Sequence, residues 1–124
     1  MTAKIVIFRE VSLTVTTPRT YSQYAQDAAL LLGEHIKLAR KRHKWSELAL
    51  AERAGISRAT LQKIESGDMG CAIGLYFEVA ALVGINLFEQ DSQPLTKAIE
   101  QVRDKIALLP KRIKSKTRVI LDDF

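Results

Sequence analysis

Between Gly55 and Gly67 the chain reads "GISRATLQKIESG", and four residues in it can do chemistry together. Arg58, Gln62 and Lys63 are hydrogen-bond donors within one short helical stretch, and Ala59 is small enough to let another surface come close. Arg and Lys donate to guanine O6 and N7, Gln pairs with adenine, and a methyl group rests against a thymine methyl. The chemistry on offer is recognition of base edges, not bond making. Elsewhere the sequence shows no nucleophile beside a base, no phosphate-binding glycine loop and no metal-ligand spacing, so no enzyme is expected. His35 and His43 lie eight residues apart on a charged helix with no nearby thiol or paired carboxylates, so neither a metal nor a cofactor is expected.

Such donors need a rigid support. "SELALAERAGISRATLQKIESG" reads as helix, glycine turn, helix. Ser46 suits the N-cap of "ELALAERA", and Ser57 that of "RATLQKIE". Gly55 fits the left-handed residue between them. Leu50, Ala51, Ala54, Leu61 and Ile64 are apolar where the two helices must touch, and the small Ala51 allows a close crossing.

Before this unit, a helix over Tyr21–His43 places Leu32, Ile36 and Ala39 on one face and ends in cations. After it, "DMGCAIG" is a loop or a loose helix start, "LYFEVAALVG" is a helix closed by Gly84, and "INLFEQ" is a helical turn or an extended bridge. A last helix begins near Pro94, and Pro110 stops it. Leu95, Ala98, Ile99, Val102, Ile106 and Leu109 form its apolar stripe, which is core or dimer interface. Trp45 reads as a core anchor and Cys71 as a small buried residue. At the front, "KIVIFREVSLTVTT" has the alternation of a strand, ended by Pro18. The tail "KRIKSKTRVILDDF" is basic and then β-branched. Its cations are a solubilising end, a reach to DNA or a segment ordered on a partner. The two β-branched pieces pair with each other or across a dimer. The expected domains are a strand arm over residues 1–18, a helix-turn-helix domain over 19–91, and a C-terminal helix with basic tail over 92–124.

Composition agrees with this outline. The 124 residues suit one domain with arms, and 47% apolar content is enough for a core. The net charge of +5 and pI of about 9.5 fit a polyanion partner, although a modest positive charge also serves solubility. The single cysteine allows no intrachain disulfide. Without a signal-peptide pattern or a membrane-length apolar run, a cytoplasmic location is expected.

The pattern "LGEHIKLARKR…LALAERAGISRATLQKIESG…FEVAALVGINLF", over roughly Leu32–Phe88, resembles the XRE family of helix-turn-helix regulators. The resemblance implies an all-α, five-helix, lambda-repressor-like domain that binds double-stranded operator DNA as a homodimer. It puts Arg58, Ala59 and Lys63 at base-reading places, with Gln62 on the flank. It puts Ser46 and Thr60 at phosphate contacts, and Ser57, Lys41 and Lys44 are added to that set from their helix ends. Glu47 departs from the pattern: many members carry Gln there, and a carboxylate repels phosphate. Arg40 and Glu65 match a family pair that meets in a structural salt bridge. Within the family, "WSELALAERAGISRATLQKIESGD", "CAIGLYFEVAALVGINLFEQD" and "LLPKRIKSKTRVILDDF" are most similar to HipB-type antitoxins. That likeness implies a repressor of its own operator that neutralises a HipA-like kinase toxin in a type II toxin-antitoxin system. The alternative is a stand-alone regulator of the same family.

Overall fold

The computed structural model describes residues 19–88 and 93–113. Five α-helices lie among them: α1 (Gln23–Arg42), α2 (Glu47–Ala54), α3 (Arg58–Glu65), α4 (Ile73–Leu82) and α5 (Leu95–Ala107). No strand occurs among the described residues. The strand arm and most of the basic tail fall outside them, and so does their suggested pairing. The chain divides into two compact units after Leu87, with α1–α4 in the first and α5 in the second.

The first unit is built around α3. Its Leu61 and Ile64 are fully buried with Ile36 of α1, Leu50 and Ala51 of α2, and Val79 and Ala80 of α4. The half-buried Leu32, Ala39, Trp45, Ala54 and Ile56 pack around this cluster. Helix α1 approaches the end of α3 with almost no room to spare. A Cβ at Gly33 would stand 2.5 Å from the Ile64 carbonyl oxygen and 2.7 Å from that of Glu65. A side chain there would have to push backbone aside, so the mid-helix glycine is a packing requirement. At Gly67, a Cβ would stand 2.6 Å from the Leu30 Cα.

The first three helices start on serine caps. Ser22, Ser46 and Ser57 accept from the N–H groups of Ala25, Ala49 and Thr60 at 3.2, 3.0 and 3.0 Å. These caps satisfy donors that have no partner inside the helix. All four helices of this unit end in the same Schellman pattern, a pair of reverse hydrogen bonds around a left-handed residue. Gly55, Gly67 and Gly84 supply that residue for α2, α3 and α4, with φ of 70°, 77° and 86°. For α1 the residue is Lys44, with φ of 61°. The Lys44 N–H donates to the Lys41 carbonyl at 2.9 Å and the Trp45 N–H to the Arg40 carbonyl at 3.1 Å.

Helix α4 starts at Ile73, two residues before the sequence-predicted start at Leu75. Its Tyr76 is buried and donates its phenol to the Asp68 carbonyl at 2.7 Å. Burial is the main cause that pushes this phenol's pKa up to about 12, so the bond persists throughout the physiological range. Cys71 is half-buried rather than buried, and its thiol is pushed up by partial burial. Residues 85–88 contain no helical turn.

In the second unit, Pro94 is the N-cap of α5 and the helix has no buried residue. Leu95, Ile99, Val102, Ile106 and Leu109 of the stripe are all exposed. No helix among the described residues is long and apolar enough to cross a membrane.

Left-handed backbone is disfavoured for a residue with a Cβ by roughly 1–2 kcal/mol, partly offset by the greater freedom of an unfolded glycine. Lys44→Gly is therefore expected to stabilise the fold by roughly 0.5–1 kcal/mol, seen as a higher urea midpoint with unchanged slope. An unchanged or lower midpoint would show that Lys44 contributes something that compensates its backbone.

Candidate nucleic-acid interface

Helix α3 has two faces with different tasks. Leu61, Ile64 and Glu65 are buried, while Arg58, Ala59, Gln62 and Lys63 are exposed and Thr60 is half-buried. All four candidate base-reading residues thus reach solvent from one eight-residue helix. The Gly55–Ser57 connection fixes that helix against α2, because the Ile56 N–H donates to the Ala51 carbonyl at 3.0 Å.

The inner face is anchored by charge. The Arg40 guanidinium donates through Nε to Glu65 Oε2 at 2.7 Å and through Nη2 to Glu65 Oε1 at 3.1 Å. Its Nη1 donates to the Trp45 carbonyl at 2.9 Å. Both side chains are almost fully enclosed, at 7% and 5% exposure. The hydrogen bonds to Glu65 outweigh burial and hold the Arg40 pKa above the ordinary arginine value. One residue of α1 thereby joins the end of α3 to the connection before α2. Trp45 itself stacks on His43, with ring centroids 4.4 Å apart, and Arg53 sits 4.2 Å over its ring.

The candidate phosphate contacts fall into two groups. Ser46 and Ser57 cap α2 and α3, and the Ser57 hydroxyl lies 2.9 Å from that of Thr60. As caps they use an oxygen lone pair, so Ser46 keeps its hydroxyl hydrogen to donate, while Ser57 and Thr60 spend one hydroxyl hydrogen on their mutual bond and keep one between them. Lys41 and Lys44 are exposed near the end of α1. Neither they nor Lys63 has a carboxylate partner among the described residues.

Glu47 has a place that sequence reasoning missed. Its Oε1 accepts from Arg58 Nε at 3.0 Å and from Gln62 Nε2 at 3.0 Å. These two donors hold the Glu47 carboxyl below the usual carboxylate range, Gln62 first and Arg58 second. The first residue of α2 therefore ties together two of the four candidate reading residues on α3. Eleven residues separate Glu47 from Arg58, too many for a periodicity argument. A helix-turn-helix layout, which brings the starts of its two helices together, was the available signal. Among the described residues, no cluster of His, Cys, Asp or Glu could hold a metal ion.

Two helices joined by a tight glycine turn, the second showing polar donors outward, define a helix-turn-helix unit. Residues 36–87 match the family model described as helix-turn-helix. That family is one of DNA-binding regulators rather than enzymes. Three solved structures show similarity at a TM-score of 0.45. One, titled "MDT Protein", is 21% identical and covers 62% of this chain and 100% of its own. A HipB variant in complex with an O2 20mer is 20% identical, covering 63% and 100%. A HipA–HipB–O2–O3 complex is 21% identical, covering 62% and 100%. No curated protein matched the sequence.

Removing Arg40 would strand the Glu65 carboxylate in the core. Arg40→Ala is expected to cost about 3–5 kcal/mol. Replacing both partners together, as Arg40→Met with Glu65→Leu, should cost clearly less than the two single changes summed. Urea denaturation of Arg40→Met, Glu65→Leu and their double variant measures this, and additive costs would show that the two side chains are not coupled.

Proposed function

We propose that the chain is a dimeric, sequence-specific DNA-binding repressor that inserts α3 into the major groove of its own operator. The observation that carries this reading is the outward face of α3, with Arg58, Ala59, Gln62 and Lys63 exposed together on a helix whose other face is locked. A short helix entering the groove by its N-terminal end meets base edges with its first residues. Arg58 and Lys63 donate to guanine, Gln62 pairs with adenine and Ala59 meets a thymine methyl. Ser46, Ser57 and Thr60 hold flanking phosphates with the free N–H groups of two helix starts, and Lys41 and Lys44 add charge. The exposed stripe on α5 gives a second copy a surface to pair with, and a dimer of this kind meets half-sites about one helical turn apart.

The protein partner proposed is a HipA-like kinase toxin that the chain holds inactive, which makes the DNA binding autoregulatory. What supports it is the sequence likeness to HipB-type antitoxins through "CAIGLYFEVAALVGINLFEQD" and the chain's ending. The competing reading is a stand-alone regulator. Co-expression with the gene immediately downstream, followed by purification through this chain, separates the two. Co-elution with a kinase-like protein at fixed stoichiometry is expected. Elution alone, with promoter DNA still shifted, favours the stand-alone regulator.

Base reading has its own test. Lys63→Ala is expected to weaken binding by ~1–3 kcal/mol and to relax preference at one base position. Gel-shift titrations against single-base variants of the operator measure it. Equal weakening on every sequence would mean that Lys63 meets a phosphate instead.

A further inference from the structure

We propose that Glu47 is a specificity-determining positioning residue: its carboxylate holds Arg58 and Gln62 so that Arg58 reads a base instead of neutralising a phosphate. The inference rests on the reading of α3 as the base-contacting helix. Glu47 lies outside that helix, at the first position of α2.

The geometry is asymmetric in a useful way. Glu47 Oε1 takes the Nε hydrogen of Arg58 and one Nε2 hydrogen of Gln62, each at 3.0 Å. The two Nη groups of Arg58 stay free at the outer end of the side chain, where they can fork onto guanine O6 and N7. Gln62 keeps its carbonyl and one N–H, the pair that adenine needs. The side chain of Arg58 is 62% exposed and that of Glu47 only 28%, so the carboxylate sits behind the guanidinium it orients. An unrestrained Arg at that exposure would swing between bases and phosphates.

Charge gives the second half of the inference. Each phosphate neutralised by a cation adds about 0.9 to the slope of log affinity against log salt. With Glu47 as its counter-charge, Arg58 contributes little to that slope. Its loyalty to the carboxylate lowers affinity for arbitrary DNA and leaves the preferred site less affected. Specificity is a difference of affinities, and this arrangement widens it from the non-specific side.

The test uses the full chain with Glu47→Gln, which keeps the shape and removes the charge. A labelled duplex enriched by the unaltered protein from a random pool serves as the specific probe, and a scrambled duplex of equal composition as the non-specific one. Glu47→Gln is expected to bind the scrambled duplex more tightly, with a salt slope steeper by about 0.9. The ratio of specific to non-specific affinity should fall by roughly 5- to 150-fold, the scale of one base contact. In an Arg58→Ala background the same change should leave slope and ratio unmoved. An unaltered slope in Glu47→Gln overturns the inference, and so does an equal effect with Arg58 absent. Failure of the unaltered protein to enrich any sequence overturns the base-reading role of α3 itself, which is a different result.

Discussion

The pairing of Arg40 with Glu65 is the constraint on which the first unit depends. Burying two charges is unfavourable unless each finds a partner and its remaining hydrogen bonds are met. Here the carboxylate receives two donors from one guanidinium, and the third guanidinium nitrogen goes to the Trp45 carbonyl. That geometry leaves little freedom. It fixes where α3 ends, how α1 lies against it and where the chain must be when α2 begins. The close approach at Gly33 is the steric counterpart, because its backbone faces the carbonyls of Ile64 and Glu65 themselves. Charge pairing and close packing converge on the same turn of α3.

The helix ends supply the remaining order. Four helices closed by one hydrogen-bond pattern leave short connections with few alternative conformations. Gly55 does this between α2 and α3, where the angle between the two helices matters most for presenting the outward face. Lys44 does it with a residue that has to be held in a left-handed conformation. A helix that presents side chains to a partner is useful only if they start from a fixed backbone, and these terminations provide one.

Much of this was legible in the sequence, for definite physical reasons. Ser46, Gly55, Ser57 and Gly67 are residues whose chemistry announces a helix boundary, and the apolar spacing of Leu50, Leu61 and Ile64 marked the buried faces. The Arg40–Glu65 pair came from family resemblance, since 25 residues separate the two side chains. What escaped were features that depend on three-dimensional proximity. Gly33 looked like an ordinary helix residue until its neighbours were known. Lys44 gave no sign of left-handed backbone. Glu47 read only as a carboxylate that repels phosphate, and nothing in the sequence marked its bonds to Arg58 and Gln62. Start positions for α4 and α5 shifted by a residue or two, as fraying ends do.

The division of α3 into a locked face and an open one has a consequence for how such a protein can change over time. Leu61, Ile64 and Glu65 carry the attachment, and Arg58, Ala59, Gln62 and Lys63 carry no core packing. The second set can vary with little effect on whether the chain folds. A lineage carrying this scaffold can therefore vary its outward surface one side chain at a time, while the machinery that presents it stays as it is. The same separation makes the outward residues a natural place to transplant the preferences of one such domain onto another.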